Sequence, residues 1–182
     1  MPTVESTQDD LYKEAVANYG PALVRLARAW EFDQDARKDL LQEMHLALWR
    51  SFKTFDARCS ERTWVYRVAH NAATSHVLRS RRGRSIPVVS IEEIEAQGGG
   101  IASENHSPAT VERGQVLDRL YALIQRLNPI DRQVILLYLE GIDATAIGDV
   151  TGISPGYVAT KIHRIKTILA ERFRNGGNHE QR

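Results

Sequence analysis

Residues 144–169 constrain the fold more than any other part of the chain, because they combine a helix start signal, a turn and an apolar stripe. Ser154 is a favourable helix N-cap, and Pro155 suits the first helical position, where its missing N–H costs nothing. The apolar side chains that follow recur at helical spacing, and they are Val158, Ile162, Ile165 and Leu169. Upstream, Ile147 and Val150 mark the inner side of a short first helix, and Gly152 permits the turn. The pattern predicts a helix-turn-helix.

The side chains off this stripe carry hydroxyl, amine and guanidinium groups. They are Tyr157, Thr160, Lys161, Arg164 and Lys166. The major groove of DNA admits a helix and presents hydrogen-bonding base edges, so a face of this chemistry is suited to enter it. The alternative is a plain helical hairpin with a solvated basic face. The pattern favours DNA binding.

Charge is distributed unevenly along the chain, although the formal net charge of the 182 residues is only +1. Basic residues concentrate within residues 58–84 and again within 161–174. Acidic residues concentrate within residues 31–43 and 92–95. Two basic zones separated by acidic ones suggest two DNA-facing surfaces on a protein that also contacts something else.

Several classes of protein are excluded by simple sequence features. The single cysteine, Cys59, rules out an internal disulfide framework and a cysteine-based zinc site. Apolar runs are too short to cross a bilayer, so we expect no membrane insertion. The first residues are acidic and polar, unlike a secretory signal or an Arg-rich transit peptide. These features predict a cytoplasmic protein.

Residues 85–108 divide the chain. They contain Pro87, three consecutive glycines at 98–100 and Pro108, a composition typical of a flexible linker. Apolar positions within this acidic linker suggest that part of it docks, and they are Val88, Val89, Ile91 and Ile94. Helical patterns occupy residues 1–84 and 109–173, and residues 174–182 form a polar tail that we expect to be disordered. We therefore predict an all-α protein with two small helical domains and a helix-turn-helix in the second.

The first domain is expected to be a small bundle of three helices, over residues 11–30, 35–52 and 61–81. We expect the first of them to bend near Gly20 and Pro21. In the third helix, Trp64 and Tyr66 interleave with arginine and amide side chains. This composition suits single-stranded DNA, whose bases stack on aromatic rings while its phosphates meet guanidinium groups. A solvated helix face is the alternative.

Three sequence blocks stand in a fixed order. DLLQE at residues 39–43 precedes TWVYRVAHN at 63–71, and LNP at 127–129 lies ahead of the helix-turn-helix. Their order and spacing resemble those of an extracytoplasmic-function RNA polymerase sigma factor, in group 4 of the bacterial sigma family. The resemblance covers residues 10–173. It implies a subunit that directs promoter-specific transcription initiation, with core RNA polymerase, promoter DNA and an anti-sigma factor as partners.

The resemblance also implies residue roles. The segment that grips the β′ clamp helices of core polymerase is matched by Asp39, Leu40, Gln42, Glu43, Leu46 and Trp49. The helix that melts the −10 promoter element and holds flipped bases is matched by Arg62, Trp64, Arg67, Asn71, Ser75 and Arg79. The face that recognises the −35 duplex is matched by Tyr157, Thr160, Lys161, His163, Arg164 and Lys166. The second domain is expected to meet the β flap of the polymerase.

Further expectations follow from the resemblance. The loop at residues 55–62 would help to form a pocket for a flipped base, and Asn71 has the donors and the acceptor to bond such a base. Arg164 is the best candidate for a bidentate guanine contact. The linker would thread the polymerase cleft, where its glutamates at 92, 93 and 95 mimic nucleic-acid charge or serve as a soluble spacer. Tyr157 departs from the family pattern, as does Gly148, which permits close approach of the second helix. These departures leave the −35 sequence open.

Signs of catalysis are weak. The six histidines are scattered without a helical pair at metal spacing, and His70 and His76 on the basic helix suit hydrogen bonding or a phosphate contact. We therefore expect no catalytic residue, no metal and no cofactor. One alternative function is an autonomous helix-turn-helix regulator that binds DNA without polymerase. Another is an adaptor whose basic faces bind acidic protein.

Overall fold

The computed structural model describes residues 7–80, 88–96 and 113–177. Within these ranges the chain forms eight α-helices and no strand, which confirms the predicted all-α class. The helices belong to two compact units, residues 1–85 and residues 86–182. None of the described helices combines the length and the apolar character that spanning a membrane requires.

The first unit contains α1 (Gln8–Trp30), α2 (Gln34–Ser51) and α3 (Glu61–Ser80). Local signals set their starts. Thr7 and Asp10 form a reciprocal capping box at α1, and Asp33 accepts two backbone N–H groups at α2. Ser60 accepts the N–H of Thr63 at the start of α3. The three helices agree with the predicted ones to within a few residues.

The core of the first unit is formed where the three helices face one another. Its buried members include Leu23, Leu26 and Trp30 from α1, Leu40, Met44 and Leu48 from α2, and Val65, Ala69, Ala73 and Val77 from α3. Residues four or three apart on each helix lie on one face, so the apolar stripes meet in the interior. This packing fixes which side of α2 and of α3 remains accessible.

The second unit contains α4 (Ile91–Ala96), α5 (Arg113–Arg126), α6 (Pro129–Leu139), α7 (Ala144–Thr151) and α8 (Pro155–Gly177). Asn128 caps α6, with Pro129 in its first turn, and Asp143 caps α7. Gly152 ends α7 with a left-handed φ of 78°, and the Ser154 hydroxyl accepts the N–H of Tyr157 at 3.3 Å. The predicted helix-turn-helix is therefore formed by α7 and α8.

Residues 88–96 of the predicted linker dock on the second unit, as the apolar positions of the linker suggested. The N–H of Val89 donates to the carbonyl of Arg126 at 3.1 Å, and the N–H of Asn128 donates to the carbonyl of Val89 at 3.0 Å. Ile91 and Ile94 of α4 are buried in the second unit. Residues 85–87 and 97–108 of the predicted linker lie outside the described residues.

The second domain does not end where the sequence predicted. Helix α8 continues to Gly177, four residues beyond the predicted end of the second domain at 173. Residues 178–182 of the predicted tail lie outside the described residues.

Gly148 lies where α7 meets the start of α8: a Cβ there would stand 2.7 Å from the Ile153 carbonyl oxygen. The expected close approach of the second helix is confirmed.

Candidate interfaces of the two units

Four of the six residues matched to polymerase binding form one ridge on α2. Asp39, Gln42, Leu46 and Trp49 are spaced by three and four residues, so their side chains follow one side of the helix. Asp39 and Gln42 are exposed, and Leu46 keeps 47% of its surface accessible. The indole N–H of Trp49 donates to Asp9 Oδ1 at 2.8 Å, which fixes the ring at the end of the ridge. The ridge offers carboxylate, amide and apolar groups to a protein partner.

Leu40 and Glu43 do not belong to this ridge. Leu40 is 0% exposed and lies in the core, so its prediction as a partner contact is wrong. The Glu43 carboxylate instead faces α3, where it pairs with Arg79 and lies 3.2 Å from His76 Nδ1. Partial burial opposes ionisation of Glu43, but hydrogen bonds from His76 and Arg79 outweigh it and lower the pKa of this carboxyl. Glu43 therefore joins the two helices.

Helix α3 carries an accessible polar ridge. Arg67, Asn71, Ser75 and Arg79 recur every four residues, and the last three are exposed while Arg67 is half-buried. Arg62, one turn before Tyr66, is exposed with its guanidinium carbon 6.0 Å from the centre of the Tyr66 ring. The structure thus brings guanidinium, amide and hydroxyl groups onto one helix surface, as a single-strand binding face requires.

Trp64 has a different environment from the other residues in its predicted set. Its indole N–H donates to Ser51 Oγ at 2.9 Å, and its ring centre lies 5.3 Å from that of Phe55. Phe55 also meets Phe52 edge-on, with ring centres 6.0 Å apart. These contacts anchor the loop between α2 and α3, in which Ala57 has a positive φ of 57°. Trp64 therefore holds the loop against α3.

The two histidines of α3 are buried and contact other side chains of the first unit. His70 is completely buried, its ring centre lies 6.0 Å from that of Trp30, and neither ring nitrogen has a hydrogen-bond partner among the described residues. Burial lowers the pKa of His70 to about 3, so the ring is neutral. A phosphate contact by His70 is excluded by this burial, and the expectation of one is wrong. His76 is also buried, beside Glu43.

On α8, the side chains matched to −35 recognition are accessible with one exception. Tyr157 keeps 43% of its surface exposed, and Thr160, His163 and Lys166 are exposed. Thr160 Oγ1 donates back to the Gly156 carbonyl at 3.0 Å, which leaves its methyl group and its hydroxyl oxygen at the surface. Arg164 is half-buried.

Lys161 is the exception, and its prediction as an exposed contact is wrong. It is 4% exposed, and its ammonium donates to Asp131 Oδ1 at 2.6 Å and to Glu92 Oε1 at 3.1 Å. Burial by itself lowers the pKa of Lys161, but the hydrogen bonds to Asp131 and Glu92 outweigh burial and raise it above its ordinary value. Asp131 is itself 0% exposed. Lys161 therefore neutralises a buried carboxylate, which joins α6 to α8.

Glu92 was not assigned to this site by the sequence, yet it meets three of its side chains. Its Oε1 lies 3.2 Å from the Tyr157 hydroxyl, 3.1 Å from Lys161 Nζ and 3.6 Å from Arg164 Nη1. Partial burial opposes its ionisation, but its own backbone N–H and Lys161 stabilise the carboxylate and lower its pKa. The sequence does carry a signal for a helix at this place, because Ser90 and Glu93 have the spacing of a capping box. In the structure each of these side chains accepts the backbone N–H of the other residue.

Comparison with known proteins identifies the class to which this arrangement belongs. The family described as "Sigma-70 region 2" matches residues 15–83, and the family described as "Sigma-70, region 4" matches residues 117–169. The first match lies on the first unit and the second extends from α5 into α8, so that together they cover about two thirds of the chain. The chain therefore belongs to the sigma-70 family of RNA polymerase sigma factors.

Individual relatives narrow the group. The RNA polymerase sigma factor CnrH of Cupriavidus metallidurans is 25% identical over 163 residues, which cover 87% of this chain and 84% of CnrH. The sigma factor CarQ of Myxococcus xanthus is 27% identical over 167 residues, 89% of this chain and 91% of CarQ. The extracytoplasmic-function sigma-E factor of Escherichia coli is 28% identical over 134 residues, 72% of this chain and 70% of its own. The chain is an alternative sigma factor of the extracytoplasmic-function type.

Solved structures share the fold. CnrH in complex with the cytosolic domain of CnrY superposes with a TM-score of 0.63 at 20% identity, covering 93% of this chain and 90% of CnrH. The sigma factor RpoE of Bartonella quintana, in complex with the anti-sigma factor NepR, gives a TM-score of 0.66 at 19% identity, covering 92% and 98%. Both show the two-domain helical architecture.

Proposed function

We propose that this sigma factor binds core RNA polymerase through the α2 ridge, opens the −10 element with α3 and recognises the −35 duplex with α8. The observation that carries this proposal is the sorting of side chains on three helices. On α2, α3 and α8 the apolar stripes that face the core are buried, while polar side chains of different chemistry remain accessible on each helix. Each accessible set suits one of the three tasks.

The α2 ridge suits the β′ clamp helices of the polymerase. Asp39 and Gln42 supply polar contacts that set orientation, and the exposed part of Leu46 supplies apolar contact area. Leu40 contributes from beneath by fixing α2 on the core. Glu43 contributes by joining α2 to α3.

Asn71 and Ser75 on α3 suit a single strand. Both are exposed, and an amide can donate to and accept from the edge of an unpaired base. Arg67 and Arg79 belong to the same ridge as Asn71 and Ser75 and can meet phosphates, whereas Arg62 lies on another side of α3, over the Tyr66 ring. The loop anchored by Trp64 and Phe55 stands next to this surface and supports it.

Tyr157, Thr160, His163, Arg164 and Lys166 on α8 suit duplex DNA. Arg164 is the side chain that can pair bidentately with guanine O6 and N7. Lys166 is exposed and suits a phosphate contact. Lys161 acts from within, since its ammonium anchors α8 to Asp131 of α6. Contact of the second unit with the β flap is part of this proposal.

An anti-sigma factor is a further proposed partner. The two solved neighbours are in complex with the cytosolic domain of CnrY and with NepR. We also propose that the chain acts in the cytoplasm, where polymerase and promoters are, without membrane insertion, catalytic residue, metal or cofactor. It supplies promoter choice, and the polymerase supplies the chemistry.

Reconstitution tests the proposal. The purified chain is mixed with sigma-free core RNA polymerase and scored for co-elution and for discrete start sites on a library of promoters. The expected result is co-elution with new start sites that core polymerase alone does not use. Tight sequence-specific DNA binding by the chain alone, without co-elution, would instead establish an autonomous regulator and overturn the assignment of α2 and α3.

A further inference from the structure

Helix α4 contacts two of the five α8 side chains that the proposed function assigns to DNA, Tyr157 and Arg164. One oxygen of the Glu92 carboxylate lies within 3.6 Å of donor atoms of Tyr157, Lys161 and Arg164. Tyr157 and Arg164 are both candidate −35 contacts, and Lys161 lies between them on α8 with its ammonium 4.8 Å from the centre of the Tyr157 ring. An acidic side chain thus occupies donor atoms of two candidate −35 contacts and of Lys161.

The contact is held by more than one interaction. Ile91 and Ile94 are buried against the second unit, and the N–H of Ile91 donates to Asp131 Oδ2 at 3.0 Å. Asp131 binds Lys161 through its other oxygen, so one buried carboxylate orients both α4 and the ammonium beneath Glu92. The side chain of Glu92 is directed onto α8 by the same docking that buries the isoleucines.

The chemistry of this contact is that of a DNA backbone contact. A phosphate would present an anionic oxygen to the Tyr157 hydroxyl and the Arg164 guanidinium, which the Glu92 carboxylate meets here. Carboxylate and phosphate cannot both occupy that position, because each would repel the other and both need the same donors. An anionic oxygen of DNA can therefore reach the donors of Tyr157 and Arg164 only if Glu92 moves away.

We propose that Glu92 is an internal competitor for DNA phosphate: docked α4 occupies donor atoms of Tyr157 and Arg164, whereas Thr160, His163 and Lys166 stay accessible. This inference rests on the proposed function of α8. It differs from charge mimicry inside a polymerase cleft, because the carboxylate acts within its own chain. Undocking of residues 88–96 frees the Tyr157 hydroxyl and the Arg164 guanidinium for duplex DNA.

The test compares the full-length wild type, Glu92→Gln and the matched control Glu93→Gln for binding to a fluorescein-labelled 20-bp duplex of random sequence, by anisotropy in 50 mM KCl. Both variants remove one negative charge from α4, but the Glu93 carboxylate bonds the backbone of Ser90 and not α8. We expect Glu92→Gln to bind about tenfold more tightly than wild type, and Glu93→Gln to stay within about twofold. Equal affinity of the two variants, or no detectable gain for Glu92→Gln, overturns the proposal.

A second variant separates docking from charge. Ile94→Ala keeps every carboxylate but removes apolar area that holds α4, so it should also tighten duplex binding. Hydrogen exchange of residues 91–96 reports whether α4 has undocked in this variant, and thermal unfolding reports whether the unit remains folded. Faster exchange in a folded protein with unchanged DNA affinity would contradict the proposal. Unchanged exchange would contradict the stated role of Ile94 in docking.

The same proteins are then mixed with core RNA polymerase, which separates this inference from the proposed function. Co-elution and discrete start sites with no difference between Glu92→Gln and Glu93→Gln on the free duplex would support the sigma assignment and reject the mask. Tighter duplex binding by Glu92→Gln without co-elution would support the mask and reject the polymerase assignment. Success in both assays supports both.

Discussion

Both units tie an arginine of a proposed DNA-binding helix to a carboxylate on a neighbouring helix, but the two carboxylates are supported very differently. Glu43 pairs with Arg79 from α2, an 18-residue helix whose other side is buried in the core. Glu92 meets Arg164 from α4, a six-residue helix that places two isoleucines against its unit. The same kind of ion pair is therefore a fixed part of the architecture in the first unit and a removable contact in the second.

The interiors differ as well. The first unit buries a neutral histidine, His70, among apolar and aromatic side chains. The second buries a charged pair, Asp131 and Lys161, with 2.6 Å between Oδ1 and Nζ. A buried pair is costly to break because the remaining charge loses its partner inside the protein. Stability of the second unit should therefore depend on a few specific polar atoms, and stability of the first on packing.

The largest effect should come from Asp131→Ala. Removing this carboxylate leaves Lys161 buried beside Glu92 alone, and it should lower the free energy of unfolding of the second unit by about 3–5 kcal/mol. The three tryptophans all lie in the first unit, so their fluorescence isolates that unit while far-UV circular dichroism follows both. In urea titrations, the dichroism transition should shift and the fluorescence transition should not. Adding Lys161→Met should restore part of the loss, and failure to do so would contradict a charge effect.

Gly148→Ala should be next, since the new Cβ would stand 2.7 Å from the Ile153 carbonyl oxygen in the turn between α7 and α8. We expect a loss of about 1–3 kcal/mol in the second unit from this overpacking. Gly156→Ala is the matched control, because a Cβ there meets nothing within 4 Å. Thermal unfolding by circular dichroism measures both. Equal stability of the two variants would mean that the turn relaxes without cost.

Functional effects should separate the two units. Arg164→Ala should lower discrimination at one base pair of the −35 element by about 1–3 kcal/mol, measured by holoenzyme competition on promoters that differ at that position. Asn71→Ala should leave −35 binding unchanged and slow strand opening, measured by permanganate reactivity of unpaired thymines. Uniform weakening across all promoters by Arg164→Ala would reject the base contact of Arg164. Normal opening by Asn71→Ala would reject the role of Asn71 in strand opening.

Because His70 is buried in its neutral form, the free energy of unfolding of the first unit should fall in acid. Its folded pKa of about 3 lies below the ordinary value of 6.5, so the unfolded chain takes up the proton first as the pH falls. The stability it contributes is complete above pH 6.5 and is lost towards pH 3, with a slope of about 1.4 kcal/mol per pH unit. Urea titrations followed by tryptophan fluorescence at several pH values should show this slope. His70→Phe should remove it, and an unchanged slope would assign the acid sensitivity to other groups.

The smallest effect should come from Glu43→Gln, which removes the charge that faces Arg79 and His76. Because 40% of the Glu43 side chain is exposed, solvent screens the pair, and the loss in the first unit should be below about 1 kcal/mol. The urea midpoint by tryptophan fluorescence measures it. The difference from wild type should shrink in 1 M KCl. A loss as large as that of Asp131→Ala would show that the two units do not differ as described.

Interactions between residues a few positions apart could be predicted from the sequence alone. Asp33, Asn128 and Ser154 start helices because each side chain bonds a backbone N–H two or three residues further on. Gly152 ends α7 because it adopts a positive φ without a Cβ penalty. Periodicity predicted the three helices of the first unit, whereas the residues of the α2 and α3 ridges were implied by the family resemblance.

The tertiary structure decided what depends on partners distant in sequence. By periodicity Lys161 lies at the edge of the α8 stripe, and it is buried because Asp131 and Glu92, 30 and 69 residues away, neutralise it. Glu92 itself reaches α8 because α4 docks through Ile91 and Ile94, although its surroundings in sequence have the composition of a linker. Helix formation is decided by local hydrogen bonds and spacing, whereas burial of a charge is decided by the arrival of its counter-charge, which the chain supplies only once it has folded.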